Sequence, residues 1–363
     1  MTILNKTKEL EEFCSSIEQG DFLTVDTEFF RETTYYPELC LVQLASKDRA
    51  VIIDVLSKDM KLDILDNILQ DKNIPKVFHS AKQDLEIIYQ LYNRLPKNIF
   101  DTQIAASFCG FGDCASYESL VWEILATKID KSYCVSDWSL RPLMEEQIAY
   151  ALGDVTYLRN IYLYLREELK NNNYAWAMED MHGLTNLSNI IIDPEIAWKK
   201  IKDLRGVKVN LVLKKLALWR ELKAQESNLP RNHYLHEKHL IKLFEVMPIT
   251  IKDLKRINYF NEFDEELSNE IIKVIEDALT LQLEEDLQEN IPAYSNSYKT
   301  SKDIASLKKL LAEKSEEYNI STRLISTSAE IKALCSGDMD LKILKGWRKQ
   351  VFGQDALQKI GKA

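Results

Sequence analysis

Several Asp and Glu residues in the first half of this chain are spaced so that their carboxylates could together hold a divalent cation. Asp26 and Glu28 lie two residues apart at the predicted end of a strand, so both side chains project from the same face. Tyr150 and Asp154 lie four residues apart in a helical pattern and therefore one turn above each other. Asp84 adds a carboxylate near a predicted helix start. Oxygen-only ligands favour Mg²⁺ or Mn²⁺, and two such ions about 3.5 to 4 Å apart are the usual arrangement for displacement at phosphorus.

Apolar neighbours make the first pair of acids informative. Val25 and Phe29 flank Asp26 and Glu28, which predicts that the carboxylates lie at the edge of a core. Unpaired charge is costly there, and a bound cation would remove that cost. Each pair alone is also common on an ordinary solvated face.

Strand and helix patterns alternate through the elements that must position these acids. Strand patterns occupy residues 22–25, 39–45, 50–54, 76–79 and 98–100, and helical patterns occupy 62–69, 102–108, 116–125 and 145–169. Ser80 and Gln83 have the spacing of a capping box, which predicts a helix start there and places Asp84 in its first turn. A mixed α/β domain is expected.

Composition restricts the class of protein. The chain has 363 residues, 45 % hydrophobic and 29 % charged, and no uncharged stretch approaches the roughly 18 residues of a membrane span. The first residues lack the apolar stretch of a secretory signal, and the six cysteines form no CxxC pair. These features predict two or three domains in a cytoplasmic protein without a membrane partner.

Charge is distributed unevenly along the chain. The net charge is -10, yet residues 1–196 carry -14 and residues 199–256 carry +9. An acidic, cation-binding domain attached to a module that meets polyanions would give this alternation. Solvated faces of ordinary helices would give it as well.

The second half of the chain is helical in pattern. Apolar spacing predicts helices over 211–224, 240–244, 251–257 and 267–281. Residues 287–300 have no period and predict a linker, and a last helical module is predicted over 301–363.

Three segments of the first half resemble the exonuclease motifs of the ribonuclease D family. They read FLTVDTEFFRETTYYPELCLVQ at 22–43, VFHSAKQDLEII at 77–88 and QIAYALGDVTYL at 147–158. The last contains the tyrosine that marks one class of DEDD exonucleases. The resemblance implies a ribonuclease H-like α/β exonuclease domain over 1–196.

The resemblance also implies a role for each acid. Asp26 would bridge two Mg²⁺ or Mn²⁺ ions, Glu28 and Asp154 would complete one site, and Asp84 would reach the other through water. Tyr150 would orient the attacking water.

Residues next to the acids are candidate contacts for the substrate. Thr27 and Phe29 would contact the terminal nucleotide. His79 and Gln83 flank Asp84, although a histidine there is also typical of the edge of a core.

The helical half resembles the rest of the same family. Residues 218–254 resemble an HRDC domain, expected over 197–286, and residues 346–362 resemble the last helix of a second HRDC-like module. The predicted phosphate contacts in this half are Lys214, Lys215, Arg220 and Arg231.

These features together predict a monomeric exoribonuclease. It would remove nucleotides one at a time from RNA 3′ ends, chiefly those of transfer RNA precursors and other small stable RNAs. Nothing in the motifs reads the 2′-hydroxyl, so a DNA 3′ exonuclease stays open, as does a non-catalytic nucleic-acid-binding protein.

Overall fold

The chain folds into two compact units, as seen in a computed structural model that describes residues 2–18, 20–130, 132–134, 136–169, 171–201, 210–286 and 297–361. The first unit comprises Met1–Phe30, Leu39–Ile190 and Ser295–Ala363, and the second comprises Arg31–Glu38 and Ile191–Tyr294. Within the described residues, no helix is long and apolar enough to cross a membrane.

A six-stranded sheet forms the centre of the first unit among the described residues. Its strands are β1 (Ile3–Leu4), β2 (Leu23–Phe30), β3 (Glu38–Ala45), β4 (Ala50–Asp54), β5 (Lys76–Phe78) and β6 (Ile99–Asp101). Across the sheet they follow the order β1-β4-β3-β2-β5-β6. β3 and β4 form an antiparallel hairpin, and β5 is parallel to β2 and β6. β2 is therefore an inner strand with a neighbour on each side.

Helices surround this sheet and continue into the C-terminal segment. The helices before residue 191 are α1 (Thr7–Ser15), α2 (Asp63–Gln70), α3 (Lys82–Tyr92), α4 (Thr102–Phe108), α5 (Tyr117–Leu125), α6 (Glu145–Glu168), α7 (Asn171–His182) and α8 (Leu187–Ile190). The predicted mixed α/β class is confirmed.

The second unit is helical in its described residues from Pro194 onward. It contains α9 (Leu211–Ser227), α10 (Arg231–Tyr234), α11 (Glu237–Val246), α12 (Ile251–Lys255) and α13 (Glu265–Asp286). Leu213, Leu216 and Trp219 on α9 are buried in its core, as their helical spacing predicts.

The C-terminal helices belong to the first unit. They are α14 (Ser297–Tyr318), α15 (Thr322–Ile325), α16 (Ser328–Ser336), α17 (Gly346–Arg348) and α18 (Gln354–Lys359). Trp347 stacks on Trp176 with ring centroids 5.1 Å apart, and its ring lies 5.6 Å from Phe108. The segment predicted as a separate module over 301–363 therefore shares a hydrophobic core with the helices beside the sheet.

Two predicted boundaries differ from the structure. The first unit gives way to the second after Ile190, whereas the sequence pattern predicts the boundary after 196. Within the predicted linker 287–300, residues 287–296 lie outside the described residues. Residues 297–300 are helical and form the start of α14.

Candidate active site

Strand β2 and helix α6 bring three of the predicted carboxylates together. β2 supplies Asp26 and Glu28, and α6 supplies Asp154. One carboxylate oxygen from each residue lies within 4.8 Å of the other two. The buried Thr24 hydroxyl donates a 2.9 Å hydrogen bond to the Val155 carbonyl, which fastens the strand to the helix beside the acids.

The two strand acids lie inside β2 and not at its end as predicted. The strand continues through Phe30, because Phe29 and Phe30 are both residues that favour extended backbone. Side chains alternate between the two faces along the whole of a strand, so Asp26 and Glu28 still project from the same face.

Asp84 comes from the element that follows β5. It lies in the first turn of α3, as the sequence pattern predicts, and it is 7 % exposed. The Thr27 hydroxyl donates a 2.6 Å hydrogen bond to Asp84 Oδ1 and links it to β2. Thr27 therefore holds an acid of the site, and its hydroxyl is occupied in the structure.

The start of α3 is capped differently from the prediction. Ser80 has a positive φ of 60° and Ala81 precedes the helix without a side-chain cap, so the predicted capping box is wrong. The carboxylate of Asp101, at the end of β6, caps α4 and also binds the two residues that precede α3. It accepts hydrogen bonds from the backbone N–H groups of Ser80, Ala81, Gln103 and Ile104.

Burial raises the pKa of every acid in the site, and repulsion between carboxylates adds to this effect at Asp26, Glu28 and Asp84. The pKa of Asp26 lies well above its usual range because of burial first and the charge of Asp154 second. Burial and the neighbouring carboxylates raise the pKa of Glu28 to about 10. Burial also raises the pKa of Asp154 to about 7 and that of Asp84 well above its usual range. The four acids therefore form one electrostatic cluster with insufficient positive charge around it.

A divalent cation fits this cluster on chemical grounds. The donors are all carboxylate oxygens, which are the ligands that Mg²⁺ and Mn²⁺ prefer. A cation would favour the ionised acids and offset the cost of burying them together. Asp26, Glu28 and Asp154 are the residues placed to hold it, with Asp84 beside them.

Tyr150 lies one helical turn before Asp154 on α6. Its hydroxyl hydrogen-bonds to the Asp154 carboxylate and lowers the pKa of that acid against the effect of burial. Burial and the nearby carboxylates raise the pKa of Tyr150 above its usual range, so the hydroxyl stays protonated and remains a donor. The ring of Trp138 packs 6.1 Å away and restricts the tyrosine.

Tyr117 is a residue of the site that the sequence motifs did not single out. Its hydroxyl lies 2.8 Å from the Gly153 carbonyl oxygen and 2.9 Å from that of Asp154. It therefore fixes the turn of α6 that carries the acid. Its partners are backbone carbonyls, which leave no spacing signal in the sequence.

The other residues predicted near the substrate have different surroundings. Phe29 is half-buried, and Gln83 is exposed. His79 Nδ1 lies 3.0 Å from the Thr102 hydroxyl oxygen, and burial lowers the pKa of its ring. His79 is therefore a neutral, hydrogen-bonded residue at the edge of the core.

Two of the predicted phosphate contacts on the second unit are used inside the fold. Arg220 is 4 % exposed and donates to the Leu235 carbonyl at 3.2 Å, so its predicted role as a phosphate contact is wrong. Arg231 donates two hydrogen bonds of 2.5 and 2.6 Å to Glu221, whose side chain is 1 % exposed. The Tyr35 hydroxyl donates to the same carboxylate, and the Tyr35 ring lies under the Arg231 guanidinium.

The two predicted lysine contacts are more accessible. Lys214 is exposed, with its ammonium 5.4 Å from the centre of the Trp198 ring. Lys215 is half-buried, with its ammonium 3.9 Å from a Glu195 carboxylate oxygen. Of the four predicted cations, Lys214 is the one best placed to meet a polyanion.

Comparisons with known proteins agree with this architecture. A family model described as 3′-5′ exonuclease matches residues 1–170, and a model of the HRDC domain matches residues 210–275. Ribonuclease D of Bartonella henselae is 38 % identical over 99 % of this chain and 90 % of its own length. Ribonuclease D of Jannaschia sp. is 38 % identical over 98 % of this chain and 94 % of its own.

A solved structure gives the same result for the fold. The crystal structure of Escherichia coli RNase D, described as an exoribonuclease involved in structured RNA processing, superposes with a TM-score of 0.83 and 27 % identity over 99 % of this chain and 98 % of that one. The chain therefore belongs to the ribonuclease D family, as a hydrolytic 3′-5′ exoribonuclease with an exonuclease domain and an HRDC domain.

Proposed function

We propose that this exoribonuclease hydrolyses RNA 3′ ends with two divalent ions, Mg²⁺ or Mn²⁺, held by Asp26, Glu28, Asp84 and Asp154. The observation that carries the proposal is the group of three carboxylates within 4.8 Å of one another, with pKa values raised by burial and, at Asp26 and Glu28, also by repulsion. A fold that keeps such a group at a core edge needs a cation to make it stable in the ionised state. Bound divalent ions supply an activated water and neutralise charge on the leaving 3′ oxygen.

The protein's own residues divide the remaining work. Tyr150 keeps its proton and donates it in a hydrogen bond, so it is suited to orient a water beside Asp154. Thr27 holds Asp84 in place through its hydroxyl. Tyr117 holds the backbone of α6 at Asp154, so that this acid keeps its distance from β2. Phe29, on the strand that carries two of the acids, remains the proposed contact for the terminal nucleotide.

The proposed substrates are the 3′ ends of transfer RNA precursors and other small stable RNAs. Support comes from membership of the ribonuclease D family and from Escherichia coli RNase D, which is described as acting in structured RNA processing. We further propose that the protein works as a monomer. We place it in the cytoplasm, in keeping with cysteines that form no CxxC pair.

Two measurements test this proposal. The first compares hydrolysis of a transfer RNA precursor, an unstructured RNA and a DNA of the same sequence, each with Mg²⁺, Mn²⁺ or a chelator. We expect trimming of the precursor to its mature 3′ end and slower attack on DNA. Equal rates on RNA and DNA would contradict the RNA assignment, and activity in chelator would contradict the metal requirement.

The second measurement counts the ions. Calorimetric titration with Mn²⁺ in the presence of a nucleoside 5′-monophosphate should give two ions for each chain. Asp154→Asn should reduce that number, whereas Asp48→Asn, in the exposed β3–β4 turn, should leave it unchanged. A single ion in the wild-type protein would contradict the two-ion mechanism.

A further inference from the structure

A cleft inside the first unit lies outside the group of acids. It encloses about 920 Å³ between α3, α4 and α7 on one side and the C-terminal helices on the other. This volume is at the upper end of the roughly 300 to 1,000 Å³ of small-ligand sites. Five cationic and four acidic side chains line it, so its net charge does not identify a ligand and the arrangement of the charges must.

The acids of the cleft are engaged within the fold. Asp180 accepts two hydrogen bonds of 2.6 Å from Arg348 and a third from the Trp347 indole. Glu179 accepts from the Trp347 backbone N–H. The remaining two, Asp113 and Glu330, accept from the hydroxyls of Ser321 and Thr327. These carboxylates are held by donors of the protein itself.

Three cations of the cleft have no such partner. Lys82, Arg323 and Lys342 are exposed and make no ion pair with any residue in the described part of the chain. Lys82 belongs to α3 on one wall, and the other two belong to the C-terminal segment on the opposite wall. A ligand with a series of negative charges could meet cations from both walls.

The position of Lys82 relates the cleft to the active site and so indicates which negatively charged ligand it binds. Lys82 begins α3, two residues before Asp84, so one wall of the cleft is formed by the helix that carries an acid of the active site. We propose that the cleft binds the phosphodiester backbone of the RNA substrate upstream of its 3′ end, through Arg323, Lys342 and Lys82. This inference rests on the proposed function, and it assigns to the C-terminal helices a part of the RNA binding that the sequence pattern placed on α9.

The test removes the two cations that lie far from the acids in sequence. Arg323→Gln with Lys342→Gln is compared with a control, Lys308→Gln with Lys332→Gln, which removes equal charge from exposed positions of the C-terminal helices that do not line the cleft. Binding of a fluorescent single-stranded RNA is measured in chelator over a range of salt. Hydrolysis of a dinucleotide is measured in Mg²⁺.

Loss of two phosphate contacts should lower the slope of log affinity against log salt by about 1.4, at about 0.7 for each contact. The control variant should keep the wild-type slope and the wild-type kcat on the dinucleotide. An unchanged slope in the cleft variant would overturn the inference. Binding of poly-L-glutamate, an acidic polypeptide, is measured in parallel. Loss of this binding in the cleft variant, with unchanged RNA binding, would overturn the inference in favour of an acidic protein partner. Failure of the wild-type enzyme to hydrolyse any RNA would instead reject the proposed function.

Discussion

Replacement of Asp154 by Asn should make the metal-free protein more stable at alkaline pH. Asp154 has a pKa of about 7 in the folded protein against an ordinary value of 3.8. An acid with a raised pKa destabilises the fold once it is ionised, so the penalty is absent at low pH and complete above the folded pKa. Asn has nearly the same volume, carries no charge at any pH and still accepts the hydrogen bond from Tyr150.

The difference between the two pKa values sets the size of the effect. At 1.36 kcal/mol for each pKa unit, ionised Asp154 costs about 4 kcal/mol at about pH 8 and less than about 1 kcal/mol at about pH 4. Asn is itself a polar group that is costly to bury, so this is an upper bound for one replacement. For a domain of 150 to 250 residues, it corresponds to an increase in Tm of about 10 °C.

Thermal unfolding in chelator at the two pH values measures this gain. The variant should unfold at a higher temperature than the wild-type protein at about pH 8 and at nearly the same temperature at about pH 4. Addition of Mg²⁺ should stabilise the wild-type protein and not the variant, because a ligand of the ion is missing. A variant that is less stable than wild type in chelator at the higher pH would refute the idea that ionised Asp154 destabilises the metal-free fold.

Three further changes have distinct expected results. Tyr150→Phe should slow single-turnover hydrolysis by about 10² to 10⁴ with RNA affinity unchanged, and a wild-type rate would reject its role in orienting water. Thr27→Val removes the hydrogen bond to Asp84 and should raise the Mg²⁺ concentration needed for half-maximal rate by about 10-fold or more, whereas Thr27→Ser should restore it. Glu221→Gln leaves the charge of Arg231 without its partner and should lower the unfolding free energy of the second unit by about 3 kcal/mol in urea titration; no loss would mean that the buried pair contributes nothing.

The sequence predicted the parts of the site that depend on short-range periodicity. Asp26 and Glu28 share a face because strand side chains alternate, and Tyr150 contacts Asp154 because residues four apart are neighbours on a helix. These rules hold wherever the element begins or ends, so the error in the end of β2 did not matter.

Parts that depend on contacts between distant segments could not be predicted in the same way. Asp101 binds the backbone before α3 from another strand, and Tyr117 binds backbone carbonyls of α6, so neither of these contacts has a signature in sequence spacing. For two basic residues of the second unit, the sequence indicated a role that their contacts in the fold do not allow. Arg220 lies on the buried face of α9 and Arg231 pairs with Glu221, although composition alone indicates a surface that binds phosphate.

The C-terminal segment shows the same limit at the level of domains. Its helical pattern predicted a separate module, but the hydrophobic face of that pattern gives no information about the partner it covers. In the structure Trp347 packs on Trp176 and Phe108, and Arg348 pairs with Asp180. A truncation before this segment would expose that core, so point substitutions are the better test of RNA binding.

Time-resolved digestion of a short RNA labelled at its 5′ end is the most direct test of the catalytic site. The wild-type enzyme with Mg²⁺ should shorten the labelled strand one nucleotide at a time from its 3′ end. Chelator or Asp26→Asn should abolish this pattern, because each removes part of the cation site, and Asp48→Asn should retain it. Short labelled fragments that appear before the intermediate lengths would indicate internal cleavage and contradict the exonuclease assignment. Undiminished digestion by Asp26→Asn would contradict the site itself.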